Sequence, residues 1–142
     1  MPDQPTSTPG PFTDAELAYL ADQRLGRMAT VQPDGTLQAS PVGFTYNADA
    51  QAIDIGGRAM ASSQKFRNVL ANGRVAFVVD DIASLDLWVV RCLEIRGTAQ
   101  ALADPADSVS RFPGAIIRVH PRRIISWGID ASGQGRGTRD VR

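Results

Sequence analysis

The chain of 142 residues has very little of several residue types that carry chemistry in other proteins. It contains one cysteine, one histidine and one lysine, and only two of its fifteen acidic residues are glutamate. A single cysteine excludes a disulfide framework and a zinc site built from several cysteines, and it is typical of a reducing cytosol. The fifteen cationic residues balance the fifteen acidic ones, whereas a nucleic-acid-binding domain usually carries a basic face. We therefore expect neither a metal site nor a nucleic-acid partner.

Long apolar segments are also missing. The longest stretch without Asp, Glu, Lys or Arg, residues 35–48, includes Gln38, Thr45 and Asn47, so it is too short and too polar to span a bilayer. The first residues do not show the basic region followed by an apolar one that marks a secretory signal. These absences predict a cytoplasmic domain without a membrane partner.

The chain divides into three parts by composition. Residues 1–12 are rich in proline and poor in apolar side chains, which predicts a disordered leader. Residues 131–142 are rich in glycine and arginine, and we interpret them as a flexible tail. The part between them, residues 13–130, has the length of one domain with a single core.

Strand patterns predominate in this domain. Residues 89–101 alternate strictly between apolar or small and polar side chains, which is the pattern of a half-buried strand. The turn sequence at residues 33–35, Pro-Asp-Gly, is typical of a hairpin connection. Six closely spaced strands favour a small antiparallel barrel over a parallel sheet, which needs a helix after nearly every strand. The predicted strands cover residues 27–32, 37–46, 52–56, 75–79, 89–101 and 115–127.

Two helices are predicted. Thr13 and Glu16 have the spacing of a capping box, and the helix that they begin is expected to end near Gly26. The second helix is expected over residues 61–72, capped by one of two adjacent serines and ended by Gly73.

Most catalytic motifs are absent. The sequence contains neither the glycine-lysine loop of nucleotide-binding proteins nor the Gly-x-Ser-x-Gly elbow of hydrolases. The glycine-rich residues 133–137 have no strand-to-helix context, so we interpret them as part of the tail. His120 lies at a predicted strand end and Cys92 within an apolar strand, and we interpret both as structural. Because no nucleophile and base can be paired, no catalytic residue is predicted.

The segment between Gly56 and Lys65 is the most informative for function. A predicted strand ends in two glycines, a short polar loop follows, and a serine-capped helix begins. The start of a helix presents free amide donors and the positive end of the dipole, which suits a phosphate group. Lys65 falls in the first turn, where a cation is unfavourable for the helix itself, so it is a candidate for binding an anion. Arg58 and Arg67 either add charge there or pair with Asp54, Asp80 or Asp81.

Six short segments occur in an order known from other proteins: residues 28–35, 40–44, 65–69, 74–81, 93–99 and 121–128. In this combination the sequence resembles the pyridoxamine 5′-phosphate oxidase-like split β-barrel superfamily. Within it, the sequence is most similar to the actinobacterial F420-dependent oxidoreductase branch, which includes the reductases of tetracycline biosynthesis. The use of arginine in place of lysine also fits an actinobacterial genome of high GC content.

The resemblance implies a mainly β fold of the α+β class, a six-stranded antiparallel split β-barrel with two or three short helices. It also implies a homodimer with cofactor sites at its interface. In such proteins one strand lies beside the cofactor ring, and a loop and the helix start that follows it hold the phosphate side. Carried onto this chain, the resemblance implies the cofactor-binding residues Ser40, Pro41 and Val42 at the ring, Gly56, Gly57, Arg58, Ser63, Gln64, Lys65 and Arg67 at the phosphate, and Trp127 as a wall from the partner subunit.

Two of these assignments have an alternative interpretation. Arg67 is equally consistent with a structural role, and Trp127 with a place in the core. Trp88 is a weaker candidate for contact with a substrate, because residues 87–91 depart from the Pro-Trp-Arg pattern that is usual in the family.

The implied function is the transfer of a hydride from reduced F420 to an unsaturated small organic molecule. Such a reaction needs mainly the positioning of donor and acceptor in a dry pocket, so it is compatible with the absence of an acid–base pair. Water, Tyr46 or solvent held by an arginine is left open as the proton source. The alternatives are an FMN-dependent flavoprotein of the same fold, and a cofactor- or haem-binding protein without turnover, in which a histidine-ligated haem would need His120.

Overall fold

The computed structural model describes residues 10–130, 133 and 135–142, so most of the predicted leader lies outside the described residues. The first helix, α1, covers Asp14–Asp22, and the predicted capping box is present. The Glu16 amide donates to Thr13 Oγ1 over 3.1 Å, and the Thr13 amide donates to Glu16 Oε1 over 2.9 Å. Phe12, placed at the end of the predicted leader, is buried and packs edge-on against the Tyr46 ring. The folded domain therefore begins before the capping box.

The second helix, α2, covers Gln64–Asn72 and follows a 3₁₀ turn over Met60–Ser62. It begins later than predicted because Ser63, with its extended backbone, is the residue that caps it. The helix ends at Gly73, whose φ of 67° lies in the left-handed region that glycine adopts without strain.

All strands of the structure are antiparallel and form one sheet. Along the sheet the strand order is β2-β1-β5-β6-β7-β4-β3, and β8 pairs with β7 beside this path. The strands of the described residues are β1 (Leu25–Val31), β2 (Leu37–Gly43), β3 (Thr45–Asn47), β4 (Ala52–Ile55), β5 (Arg74–Ser84), β6 (Val89–Leu102), β7 (Ile116–Trp127) and β8 (Arg136–Asp140).

The sheet curls into a barrel because of the connection between its two edge strands. β2 and β3 lie at opposite ends of the strand order, yet Phe44 alone separates them in the chain. Two edges joined by one residue must lie close together, so the sheet bends round and leaves a split between them. The predicted fold class, a mainly β antiparallel split barrel with short helices, is confirmed.

The strand count differs from the predicted six for two reasons. The predicted strand over residues 37–46 is divided at Phe44, where the chain passes from one edge of the sheet to the other. The tail, predicted to be flexible, contains β8, which pairs with β7. Arg139 of β8 donates to Glu16 Oε2 over 3.0 Å and to the Pro11 carbonyl oxygen over 2.7 Å. Since Glu16 is buried, a cation must accompany it, and the tail supplies that cation.

The core lies between the central strands and α2. Its fully buried side chains are supplied mainly by β4, β5, β6 and β7. At the point where β6 and β7 are bulged, a Cβ atom on Gly97 would lie 2.1 Å from the His120 carbonyl oxygen, so only glycine fits there. The largest fully buried residues include Phe77, Ile53, Leu93, Ile95, Ile117 and Ile124.

Candidate functional site

The strand predicted to lie beside a cofactor ring is β2, which is at an edge of the sheet. Ser40 pairs with the buried Met28 of β1, and Val42 is itself a core residue, whereas Pro41 is exposed on the opposite face. The three side chains therefore do not share one face, and their contact with a ring stays a prediction. Among the residues that the structure describes, Ser40 Oγ is the buried side-chain oxygen that has no hydrogen-bond partner. Such an orphaned group is unusual in folded proteins.

Helix α2 meets β2 through a chain of side-chain hydrogen bonds. The Gln64 amide nitrogen donates to Asn68 Oδ1 over 2.7 Å, and the Asn68 amide nitrogen donates to Gln38 Oε1 over 3.3 Å. Asn68 is fully buried and also donates to Thr30 Oγ1 over 3.0 Å. Gln38 lies two residues before Ser40 on the same strand face. The fold therefore brings the predicted ring strand close to the first turn of α2.

The first turn of α2 carries the only lysine of the chain. Lys65 is half-buried and makes no ion pair or hydrogen bond with the described part of the chain, and the same holds for the exposed Arg58. Ala59, between Arg58 and the 3₁₀ turn, has a φ of 54°, which is strained for a residue with a side chain. The Gln64 and Lys65 amides have no intrahelical acceptor because they open the helix. One cation and two free amides thus lie at the helix start, and Arg58 is a second cation without a described partner in the loop before the 3₁₀ turn.

Three other predicted residues are used within the helix start itself. Ser63 Oγ accepts from the Phe66 amide over 3.2 Å and donates to the Met60 carbonyl oxygen over 2.7 Å. Arg67 donates to the Ser62 carbonyl oxygen over 2.8 Å and to Gln64 Oε1 over 2.9 Å. The contacts of Arg67 are therefore those of a structural residue, and the contacts of Ser63 and Gln64 stabilise the turn.

The three aspartates considered as partners of Arg58 or Arg67 pair elsewhere. Asp80 binds Arg27, and Asp81 binds Arg91 in a bidentate pair. Asp54, which is fully buried, accepts from Arg118 Nε over 2.8 Å. The alternative considered from the sequence, that Arg58 or Arg67 pairs with one of these aspartates, is therefore wrong.

Gly56 is required by packing. A Cβ atom there would lie 1.9 Å from Ser110 Oγ, whereas a Cβ atom on Gly57 would meet only the end of Met60 at 3.8 Å. Gly56 therefore allows residues 110–112 to approach the end of β4. Gly57 has no comparable crowding, so its role beside a phosphate stays a prediction.

Beside Gly56 lies a cavity of about 360 Å³. It is located at the split of the barrel, between the end of α1, residues 43–45 and residues 110–112. Of the predicted site residues only Gly56 lines it. Sequence reasoning did not assign Arg24, Arg111 or Phe112, which also line this cavity.

A buried ion cluster holds one wall of the cavity. The Asp54 carboxylate accepts from Arg118, from the Asn47 side chain over 3.0 Å and from the Val109 amide over 3.2 Å. Arg118 also donates to Asp107 over 3.1 Å, and this hydrogen bond lowers the pKa of the Asp107 carboxyl. A sequence signal for the cluster existed, since an arginine within the apolar run of residues 115–119 requires a buried acid.

Three further residues lie apart from these elements. Trp127 is half-buried under Arg136, whose guanidinium carbon is 5.8 Å from the ring centroid, and no described contact joins it to the other predicted site residues. Cys92 is buried, and the loss of water raises the pKa of its thiol to about 11, which favours the unreactive neutral form. The His120 ring nitrogen lies 2.7 Å from Gln100 Oε1, and burial lowers the pKa of the ring.

Two general features of the described residues bear on function. No cluster of three or more His, Cys, Asp or Glu side chains is placed to hold a metal ion. No helix in the described part of the chain has both the length and the apolar character needed to cross a membrane.

Comparison with known proteins identifies the family of this chain. The sequence profile of pyridoxamine 5′-phosphate oxidase matches residues 12–128. The chain belongs to the pyridoxamine 5′-phosphate oxidase family. The resemblance recognised in the sequence is therefore confirmed.

One relative is 47% identical to this chain over 135 residues, which cover 92% of this chain and 94% of the relative. It is the 5a,11a-dehydrotetracycline/5a,11a-dehydrooxytetracycline reductase of Streptomyces rimosus subsp. rimosus. A solved F420 reductase superposes with a TM-score of 0.50 and 29% identity, covering 69% of this chain and 86% of that protein. The FAD-binding protein of Mycobacterium smegmatis superposes with a TM-score of 0.62 and 20% identity over 90% of this chain and 98% of its own, which shows a shared fold.

The residues present fit a cofactor that carries a phosphate. Lys65 and Arg58 supply positive charge without a described partner, and the helix start supplies amide donors. Ser40 Oγ is a buried hydroxyl whose hydrogen-bonding capacity is unused among the described residues. Lys65 and Ser40 lie on two elements that the Gln64–Asn68–Gln38 hydrogen bonds hold together, and Arg58 lies in the loop before the 3₁₀ turn.

Proposed function

We propose that this protein is an F420-dependent oxidoreductase that reduces an unsaturated small organic molecule. The observation that carries the proposal is a set of polar groups without described partners: Lys65 at the start of α2, Arg58 in the loop before it, and Ser40 Oγ on β2. The 47% identity to a dehydrotetracycline reductase supports the reaction class, and the likeness to an F420 reductase supports the cofactor. An acceptor related to a dehydrotetracycline is the substrate class that we expect.

In this proposal each group has a separate task. Lys65 and the amides of the first helical turn bind the phosphate, and Arg58 adds a second positive charge. Ser40 hydrogen-bonds the cofactor once its hydroxyl, which is buried in this structure, turns outward, and Pro41 lies on the exposed face of β2. Ser63, Gln64 and Arg67 keep the turn in shape through their mutual hydrogen bonds.

When bound, reduced F420 supplies a hydride to one carbon of a conjugated double bond in the acceptor and is left oxidised by two electrons. The other carbon takes a proton. Tyr46 is an unsuitable donor because burial raises the pKa of its phenol, and its ring packs against Phe12 outside the cavity lining. We therefore propose solvent as the proton source, and the residues of the site act by positioning the cofactor and the acceptor.

We also propose a homodimer. β2 is an edge strand, and alternate residues on its outer face are exposed, from Leu37, which is 74% exposed, to Gly43. An exposed apolar edge next to a ligand site is a surface that proteins usually cover. A partner subunit placed there would bring its own Trp127 or another residue towards the cofactor, as the family resemblance implies.

Titration of the purified protein with F420 and with FMN, followed by fluorescence, tests the cofactor. We expect micromolar binding of F420 and much weaker binding of FMN. A preference for FMN would favour the flavoprotein alternative. Haem binding that depends on His120, without any F420 binding, would favour the haem alternative, although the half-buried His120 ring is engaged with Gln100.

Replacement of Lys65 tests the phosphate contact. Loss of one charge-assisted contact costs about 1.5–3 kcal/mol, so we expect Lys65→Ala to weaken F420 binding by about 10- to 150-fold. Arg74→Ala is the matched control, because Arg74 is an exposed cation just beyond the other end of α2. Equal affinities of the two variants would remove Lys65 from the site.

A further inference from the structure

The cavity at the barrel split adjoins both halves of the proposed cofactor site. Gly43 lines it and follows the ring strand residues 40–42, and Gly56 lines it and precedes Gly57 and Arg58. Its volume of about 360 Å³ is within the range of small-molecule sites. A molecule in this cavity would therefore contact the chain segments that lead directly into both parts of the proposed cofactor site.

Two arginines of the cavity lining have no partner among the described residues. Arg24 and Arg111 both line it, and neither makes an ion pair or a hydrogen bond with the described residues. Asp54 is engaged by Arg118 in a bidentate pair, and Arg118 also binds Asp107. Asp22, at the end of α1, is the other carboxylate of the lining and is exposed to solvent. Two unpaired guanidinium groups in one cavity are suited to an acidic oxygen of a ligand.

Aromatic side chains form the apolar part of the same cavity. Phe44 is fixed by an edge-on contact with the core residue Phe77, with ring centroids 5.2 Å apart. Phe112 lines the cavity from the loop of residues 110–112 and is 41% exposed. A flat ring system gains from contact with such faces.

The loop that carries Arg111 and Phe112 is held in place before any ligand binds. The Val109 amide donates to the buried Asp54 carboxylate over 3.2 Å, and the Phe112 amide donates to Ser110 Oγ over 3.1 Å. Asp107 is tied to Arg118. Because the loop is already ordered, binding does not have to order it.

We propose that this cavity binds the acceptor molecule, and that Arg24 and Arg111 select acceptors that combine a ring system with an acidic oxygen, such as a carboxylate or an acidic enol. This inference rests on the proposed function for the identity of the ligand as the hydride acceptor. The binding of an anionic ring compound in the cavity does not depend on which cofactor the protein uses.

The test uses two dyes of the same ring system on the full chain. 1-Anilinonaphthalene-8-sulfonate carries one negative charge, and N-phenyl-1-naphthylamine lacks it. We expect the wild type to bind the charged dye more tightly. Each of Arg24→Gln and Arg111→Gln should weaken its binding by about five-fold, and the double variant by about twenty-fold. Binding of the neutral dye should stay unchanged, and Arg74→Gln, which removes an exposed cation elsewhere, should leave both dyes unaffected.

Titration with F420 on the same variants separates this inference from the proposed function. We expect Arg24→Gln and Arg111→Gln to keep the F420 affinity of the wild type and to raise the KM for acidic acceptors but not for their methyl esters or ethers. A fall in F420 affinity would assign the two arginines to the cofactor and overturn the inference. Unchanged binding of the charged dye in the double variant would also overturn it. Absence of any F420 binding, with the expected dye results, would overturn the proposed function alone.

Discussion

The Asp54 cluster, which is centred on β4, and the start of α2 are both polar regions, but they differ in hydrogen bonding. The groups of the cluster have partners within the chain, and the lysine at the helix start has none among the described residues. Asp54 is fully buried and accepts hydrogen bonds from Arg118, Asn47 and Val109. Lys65 at the start of α2 and Arg58 in the loop before it have no partner among the described residues, and neither has Ser40 Oγ on the neighbouring β2. The first region is satisfied within the chain, whereas the second has spare donors.

This difference separates residues that serve the fold from residues that serve a ligand. A buried charge must be matched by the chain itself, because an unmatched one costs several kcal/mol. A half-buried or exposed cation at a helix start costs far less, so it can be kept without a partner until a ligand binds. We therefore expect substitutions in the Asp54 cluster to affect stability, and those at the start of α2 to affect binding.

The largest effect on stability is expected from Asp54→Ala. The change leaves the Arg118 guanidinium, whose side chain is 8% exposed, without its main partner, and this costs about 3–5 kcal/mol in free energy of unfolding. Urea unfolding followed by circular dichroism measures the loss. Asp80→Ala is the control, because it removes one carboxylate from the exposed Arg27–Asp80 pair and should cost below about 1 kcal/mol. Similar losses in the two variants would contradict the contrast between the regions.

A smaller effect is expected from Gly56→Ala. The added Cβ atom would lie 1.9 Å from Ser110 Oγ, and such overpacking typically costs about 1–3 kcal/mol. Combination with Ser110→Gly removes the obstructing side chain, so we expect most of the lost stability to return in the double variant. Urea unfolding measures stability, and F420 titration of the double variant shows whether Gly56 also serves binding. No recovery of stability would show that the contact with Ser110 is not the cause.

The acid dependence of stability provides a further test of carboxylates that have partners within the chain, such as Asp81. The hydrogen bond from Arg91 holds the pKa of Asp81 below its ordinary value of 3.8. A carboxyl with a lowered pKa in the folded state stabilises the protein above the ordinary value, and this contribution is lost as the pH falls through the lowered one. We expect the urea midpoint to drop as the pH falls from about 5 through the lowered pKa, and to drop less in Asp81→Asn. An identical drop in both proteins would exclude Asp81 as a source.

The smallest effect on stability is expected at Lys65. A cation in the first turn is repelled by the positive end of the helix dipole. Lys65→Ala should therefore raise the free energy of unfolding by about 0.3–1 kcal/mol. Arg74→Ala, which removes a cation outside the first turn, should not raise it. A variant that is more stable but binds F420 less tightly would show that Lys65 is kept for a ligand. A marked loss of stability in Lys65→Ala would place the residue among the structural ones.

Local sequence patterns predicted the elements of the fold well. The Thr13–Glu16 capping box, the serine cap before α2 and Gly73 at its end all act within a few residues of each other. Such signals depend on the backbone near them and survive in any tertiary context. The first turn of α2, including Lys65, was found in this way.

Contacts between distant parts of the chain were not predicted. Arg118 and Asp54 are 64 residues apart, and Arg139 and Glu16 are 123 residues apart. The tail was interpreted as flexible because its composition is polar, but a polar strand is stable when it pairs with β7 and when Arg139 matches a buried acid. Composition alone does not contain that information.

The sequence by itself determined the mainly β barrel class, the two helices and the positive helix start, because these follow from periodicity and from caps that act locally. The tertiary structure alone decided which charges are matched and which are spare. It paired Asp54 with Arg118 and left Ser40 Oγ, Lys65, Arg24 and Arg111 without described partners. The physical reason is that the energy of a charge or a hydroxyl depends on its surroundings in space, and the curled sheet places those surroundings far away in sequence. Lys65 was a candidate for phosphate binding from the sequence, and the structure added that it has no partner among the described residues.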